Sequence, residues 1–89
     1  MFVVSWLDDA LDGLADVLVS SDLETQDRVA AGVESLNRLL ARNPFEEGES
    51  RGGSSRITFA AGLAVRFVID ETDHVVRVTA VKRYGRDKR

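Results

Sequence analysis

Between Arg56 and Tyr84 the chain alternates apolar and polar residues over three consecutive runs, and a period of two suits a strand with one buried face and no helix. Arg56-Ile57-Thr58-Phe59 is the first run and Leu63 to Asp70 the second, each with its large apolar residues at odd positions. The third, Val75 to Tyr84, places Val76, Val78 and Ala80 on one side and Arg77, Thr79 and Arg83 on the other. A slip of one residue would turn every side chain to the wrong face, so the connections must agree with this parity. A three-residue loop, Ala60-Ala61-Gly62, pairs Phe59 with Leu63 and Ile57 with Val65, with glycine at the left-handed position. A two-residue turn at Thr72-Asp73, or a four-residue loop with the same centre, pairs Ile69 with Val76, Phe67 with Val78 and Val65 with Ala80. These registers predict Arg56 opposite Arg66, with Arg77 one diagonal step away, so that three arginines share the face turned from the core.

The preceding half reads as cover for the apolar face. Phe2-Val3-Val4 is a β-branched and aromatic run suited to an added strand, with Trp6 beside the core. Ser5 and Asp8 stand at capping distance ahead of Leu7, Leu11, Leu14 and Leu18, which recur at helical spacing. Ser21 and Glu24 form a capping box for a second helix, whose stripe is Val29, Val33, Leu36 and Leu40. That helix ends near Arg42, because the residue before Pro44 avoids helical geometry. Gly13 inside the first helix marks a close approach, expected against the second helix. The fold class is therefore α+β, an antiparallel helical hairpin on one face of a small antiparallel sheet. The predicted core is Leu14, Leu18, Val33, Leu36, Leu40, Phe59, Val65, Phe67 and Val78.

Eighty-nine residues suit a single domain, 1–89, with one modest core. No apolar run approaches the ~18 residues of a membrane span, there is no secretory start, and cysteine is absent, which together predict a cytoplasmic protein without thiol chemistry. The net charge of -3 conceals an asymmetry. Residues 1–49 hold 3 bases against 11 acids, net -8, and residues 50–89 hold 9 bases against 4 acids, net +5. A basic sheet face on an acidic body points to a polyanion or an acidic partner, or to a solvated face. The acids at Asp8, Asp9, Asp12 and Asp16 read as a solvated helix face, Glu46, Glu47 and Glu49 as loop solubility, and His74 as a turn residue with no catalytic partner nearby. Arg51 is the only base in the Gly- and Ser-rich loop from Phe45 to Ser55, and Arg86 lies in a basic tail that is either frayed or docked on a partner.

Leu39-Leu40-Ala41-Arg42-Asn43-Pro44, Arg56 opening a strand, Leu63 to Asp70 ending in Ile-Asp, and Val76 to Val81 followed by bases occur in that order. In this order and after two helices, these segments resemble the RelE/ParE superfamily, toxins of type II toxin-antitoxin modules also called plasmid-stabilisation proteins. The resemblance covers nearly the whole chain. It implies silencing by a cognate antitoxin and one of two targets: messenger RNA on the ribosome, cleaved without metal or cofactor, or DNA gyrase, inhibited without catalysis. A third possibility is an inactive relative that only binds a partner. In the nuclease branch, bases and a C-terminal tyrosine assist in-line attack by a ribose 2′-hydroxyl. Carried over, this assigns Arg56, Arg66, Arg83 and Tyr84 to catalysis and Arg51, Arg77, Lys82 and Arg86 to substrate or partner contacts. Ala64 stands where relatives commonly have an arginine, with Arg66 two residues later on the same predicted face, and the sequence pI is near 5.0 where ribosome-directed members are usually basic.

Overall fold

A computed structural model describes residues 1–84, so the expectation for Arg86 lies outside the described residues. The chain runs β1 (Val3–Trp6), α1 (Asp8–Val19), α2 (Leu23–Arg42), a short 3-10 turn (Pro44–Glu46), β2 (Glu49–Ser50), β3 (Ser55–Ala60), β4 (Leu63–Asp70) and β5 (Val75–Arg83). The strands form one sheet in the order β1-β5-β4-β3-β2. The meander β3-β4-β5 is antiparallel, whereas β1 runs parallel to β5 and makes the sheet mixed at that edge. The helices between β1 and the meander supply the long crossover that a parallel pair requires.

Helix boundaries follow from what their flanking residues are already bonded to. Ser5 does not cap α1, because it lies inside β1 and pairs with Arg77. The Leu7 N–H still donates to the Val78 carbonyl, and the helix starts only after it, at Asp8, without a side-chain cap. Asp8 and Asp9 in its first turn favour the positive end of the helix dipole. Nor does Ser21 cap α2: its hydroxyl donates to the Val17 carbonyl at 2.6 Å and closes α1. Asp22 is the cap instead, accepting from the Thr25 N–H at 2.8 Å. Asn43 and Pro44 end α2 as expected.

The helices cover one face of the sheet, and Leu36, Leu40, Val65, Phe67 and Val78 of the expected core are buried. Leu14, Leu18 and Val33 are partly buried against it. Phe59 is the exception, at 48% exposed. The β3–β4 connection is a two-residue turn, not a three-residue loop: Ala60 pairs with Leu63, Phe59 with Ala64, Thr58 with Val65 and Ile57 with Arg66. Ala61 (φ 53°) and Gly62 (φ 80°) both take left-handed geometry, the primed turn whose twist matches that of paired strands. Losing one loop residue reverses the parity of β3, so Thr58 is buried in the place expected for Phe59.

The β4–β5 connection is the four-residue form, Asp70 pairing with Val75, Ile69 with Val76 and Phe67 with Val78, as expected. Beyond Phe67 the ladder shifts. Arg66 pairs with Ala80 and Val65 with Val81, leaving Thr79 as the extra residue of a β-bulge, its hydroxyl donating to the Arg66 carbonyl at 3.2 Å. Downstream of the bulge the faces exchange: Val81 is buried while Ala80 is exposed. Gly13 serves this same strand and not α2, because a Cβ there would collide with the Val81 carbonyl.

Two stability outcomes follow. Alanine normally favours a helix over glycine by about 1 kcal/mol; Gly13→Ala is expected to reverse that sign and lower the urea midpoint, since helix and strand backbones must separate to admit the methyl. Phe67→Ala removes a side chain that is 0% exposed, and unfolding titrations should show a loss of about 3–5 kcal/mol.

Candidate functional site

Residues directly paired across strands point to the same side of the sheet, so the observed registers sort the basic residues between the two faces. On the face away from the helices, Phe59, Ala64 and Lys82 form one transverse row, and Ile57, Arg66 and Ala80 the next. The expected neighbours Arg56 and Arg66 are not side by side. Arg56 pairs with Phe67 and therefore has the parity of the helix-covered face. At the sheet margin its Nε donates to the Glu47 carbonyl and its Nη2 to the Gly48 carbonyl, both at 2.9 Å. It fastens the preceding loop to β3. The same guanidinium borders a pocket of about 280 Å³ shared with Phe45, Ile69 and Glu71.

The bulge at Thr79 decides which faces the other two expected site residues take, sending Arg83 to the helix side and Tyr84 to the outer one. Arg83 pairs with Leu63 on the helix side, and its Nη2 donates to Ser20 Oγ at 2.9 Å and Ser21 Oγ at 3.3 Å. A cation there also meets the negative end of the α1 dipole. Tyr84, one residue on, faces the other way; its N–H donates to the Gly62 carbonyl and its ring lies 4.3 Å, centroid to centroid, from that of Phe59. Arg66 and Lys82 are exposed, and among the described residues neither side chain makes a hydrogen bond or ion pair within the fold.

The remaining expected contacts are internally engaged. Arg77 donates through Nη1 to Asp70 Oδ2 at 3.0 Å, and Arg51 pairs with Glu49 at 3.2 Å and reaches the Ser50 carbonyl. Asp70 also accepts from the Asp73 N–H at 3.1 Å. That backbone hydrogen bond, and then the Arg77 guanidinium, hold the Asp70 carboxyl below its ordinary value. The Thr25 hydroxyl and N–H do the same for Asp22. His74 occupies the β4–β5 turn at φ 57°, its ring 4.9 Å from that of Phe2. No group of three or more His, Cys, Asp or Glu residues suited to a metal ion occurs among the described residues.

On the outer face of the sheet, the described cations without internal partners and the exposed aromatic rings thus gather at one end, around Arg66, Lys82, Phe59 and Tyr84. Phe59 escaped sequence reasoning because the loop length was counted as three. Val81 carried a usable signal for the bulge: an apolar residue three positions after Val78 breaks a period of two and restores it one residue out of phase. The arrangement can hold an anion on two cations beside aromatic rings and a phenol.

Against solved structures, the chain resembles the isolated RelE toxin of E. coli with a TM-score of 0.69 and 13% identity, over 99% of this chain and 89% of that one. A chromosomal ParDE toxin-antitoxin system of P. aeruginosa gives a TM-score of 0.73 at 13% identity, over 96% and 98%. The toxin-antitoxin complex RelBE2 of Mycobacterium tuberculosis gives 0.67 at 16%, over 92% and 90%. No protein-family model and no curated protein matches the sequence. The chain therefore has the RelE/ParE fold, two helices against one face of a five-stranded sheet, and among the described residues no helix is long and apolar enough to cross a membrane.

The lowered Asp70 value has a pH consequence whose sign is fixed. A carboxylate with a folded pKa below its unfolded one contributes stability above the ordinary range near ~3.9 and loses it as pH falls through the folded value. Urea midpoints should therefore show Asp70→Asn less stable than the parent by a constant margin above about pH 5, with the margin shrinking on further acidification. A margin independent of pH down to acid unfolding would contradict the assignment.

Proposed function

We propose that this chain is the toxin of a type II toxin-antitoxin module, acting in the cytoplasm on ribosome-bound messenger RNA and held silent by a cognate antitoxin. The observation that carries this reading is the outer-face end of the RelE/ParE fold, where Arg66 and Lys82 are exposed, without a side-chain partner among the described residues, at the end that also carries the Tyr84 phenol. In-line attack by a 2′-hydroxyl builds negative charge on the scissile phosphate, and a guanidinium carried by a paired central strand stabilises that charge. In this reading Arg66 holds the phosphate, Lys82 its neighbour along the strand of RNA, and Tyr84 exchanges a proton with the attacking or leaving oxygen. Arg56 and Arg83 support the site indirectly by fixing the loop before β3 and the end of β5. An acidic antitoxin segment laid over the same cations would block it, with association slowed by salt.

The gyrase-inhibitor reading draws on one specific feature: the internal hydrogen bonds of Arg56 and Arg83 leave few cations among the described residues of the sheet for a phosphate track, as suits a protein target. Expression in a growing culture, with primer extension on ribosome-bound transcripts and a gyrase supercoiling assay in parallel, separates the two. For the nuclease, Arg66→Ala should lower cleavage by about a hundredfold or more and abolish growth arrest, and Tyr84→Phe should slow cleavage by removing the proton. Growth arrest with intact transcripts and blocked supercoiling would establish the alternative, and normal growth on expression of the stable protein would overturn both.

A further inference from the structure

Phe45, Gly53, Ser54, Arg56, Ile69 and Glu71 line a pocket of about 280 Å³ at the end of β4 remote from Tyr84. It lies just under the ~300–1,000 Å³ that receives drug-sized ligands and equals the volume of about nine waters, so it suits a smaller molecule. Its wall is tied together by the fold. The Ser54 carbonyl accepts from the Ile69 N–H at 3.1 Å, joining the loop to β4, and the Phe45 ring meets that of Phe2 edge-on at 6.1 Å. Arg56 is held through Nε and Nη2 by the Glu47 and Gly48 carbonyls, which leaves Nη1 without a partner among the described residues. A guanidinium carries five N–H donors, so about three stay available on a group whose position is already set. Glu71 borders the same pocket from the β4–β5 turn, exposed, and no ion pair joins it to Arg56. Opposite charges thus share one pocket without neutralising each other, beside the apolar surface of Phe45 and Ile69.

We infer that this pocket binds a free α-amino acid with an apolar side chain, its carboxylate on Arg56, its ammonium on Glu71 and its side chain against Phe45 and Ile69. A simple anion would gain from Arg56 and be opposed by Glu71, and a simple cation the reverse, whereas a zwitterion satisfies both. An arginine fixed by carbonyls of its own loop gives up little rotamer freedom when it takes a carboxylate on its remaining donors. The C-terminus of a peptide offers a carboxylate and an apolar side chain but no ammonium, and so leaves Glu71 unanswered. An occupied site would join three segments that meet only here: the loop before β3, the start of β3 and the β4–β5 turn. A ligand that binds the folded chain alone stabilises it by mass action. The inference stands apart from the toxin's target, because Arg66, Lys82 and Tyr84 take no part in the pocket.

The test titrates the isotopically labelled full chain with L-leucine and follows the amide resonances of Ser54, Ile69 and Glu71 by NMR. L-Leucine should shift them saturably. Leucinamide, which lacks the carboxylate, and N-acetyl-L-leucine, which lacks the ammonium, should each bind about tenfold more weakly or worse, as expected when one charge-assisted contact is lost. Glu71→Gln should leave the melting temperature of the free chain unchanged, weaken L-leucine about tenfold and remove its advantage over N-acetyl-L-leucine. No saturable response to L-leucine overturns the site. Binding of N-acetyl-L-leucine as tight as that of L-leucine, unaffected by Glu71→Gln, overturns the amino-acid assignment and is what a peptide C-terminus predicts. Transcript cleavage and supercoiling do not enter this readout, so its failure and the failure of the toxin reading are separately visible.

Discussion

Strand β4 is hydrogen-bonded along both edges and buried on one face, and every other assignment in the molecule depends on how its neighbours are phased against it. Leu63, Val65, Phe67 and Ile69 are all buried under the helices, which leaves no freedom in β4 itself. The freedom lies in β3 and β5. Each could have met β4 one residue out of step, and in each a single local irregularity decides the matter: the two-residue turn Ala61-Gly62 and the bulge at Thr79. Because side chains alternate with a period of two, each irregularity moves a whole half-strand from one face to the other.

The consequence for charge is a division of labour among the bases. Arg56, Arg77, Arg83 and Arg51 are bound to carbonyls, hydroxyls or carboxylates of the fold itself, and they fasten loops, the sheet and the end of α1. Arg66 and Lys82 are left for something outside. A basic C-terminal half is therefore only partly a recognition surface. Among the described residues, four bases of the sheet half are engaged by the fold itself, and the other two, Arg66 and Lys82, lie at the end of the outer face that carries Phe59 and Tyr84.

Gly13 and Ala64 show how small residues serve the two faces of the same sheet. On the helix side, the missing Cβ at Gly13 lets α1 approach the Val81 carbonyl, just beyond the bulge that turned Val81 inward. On the outer side, Ala64 is buried between its partners Phe59 and Lys82, at the end of the sheet where the rings of Phe59 and Tyr84 meet. The bulge couples the two, since it directs Val81 and Arg83 toward the helices and Lys82 and Tyr84 away from them.

By itself the sequence determined the α+β class, the order of helices and meander, the stop at Asn43-Pro44, the inward face of β4 and the register of Ile69 with Val76 and Phe67 with Val78 across the β4–β5 turn. Each is written in local chemistry: a helical or alternating period, a proline, or a run of β-branched residues between polar turns. The burial of Thr58 in place of Phe59, the inward course of Val81 and Arg83, the partners of Arg56 and the contact made by Gly13 were decided only by the tertiary structure. Loop length and bulge position are settled by competition between turn strain, strand twist and the fit of side chains under two helices, and those terms exist only once the layers are in contact. A one-residue difference in either leaves the sequence pattern nearly unchanged and reverses the face that each side chain presents.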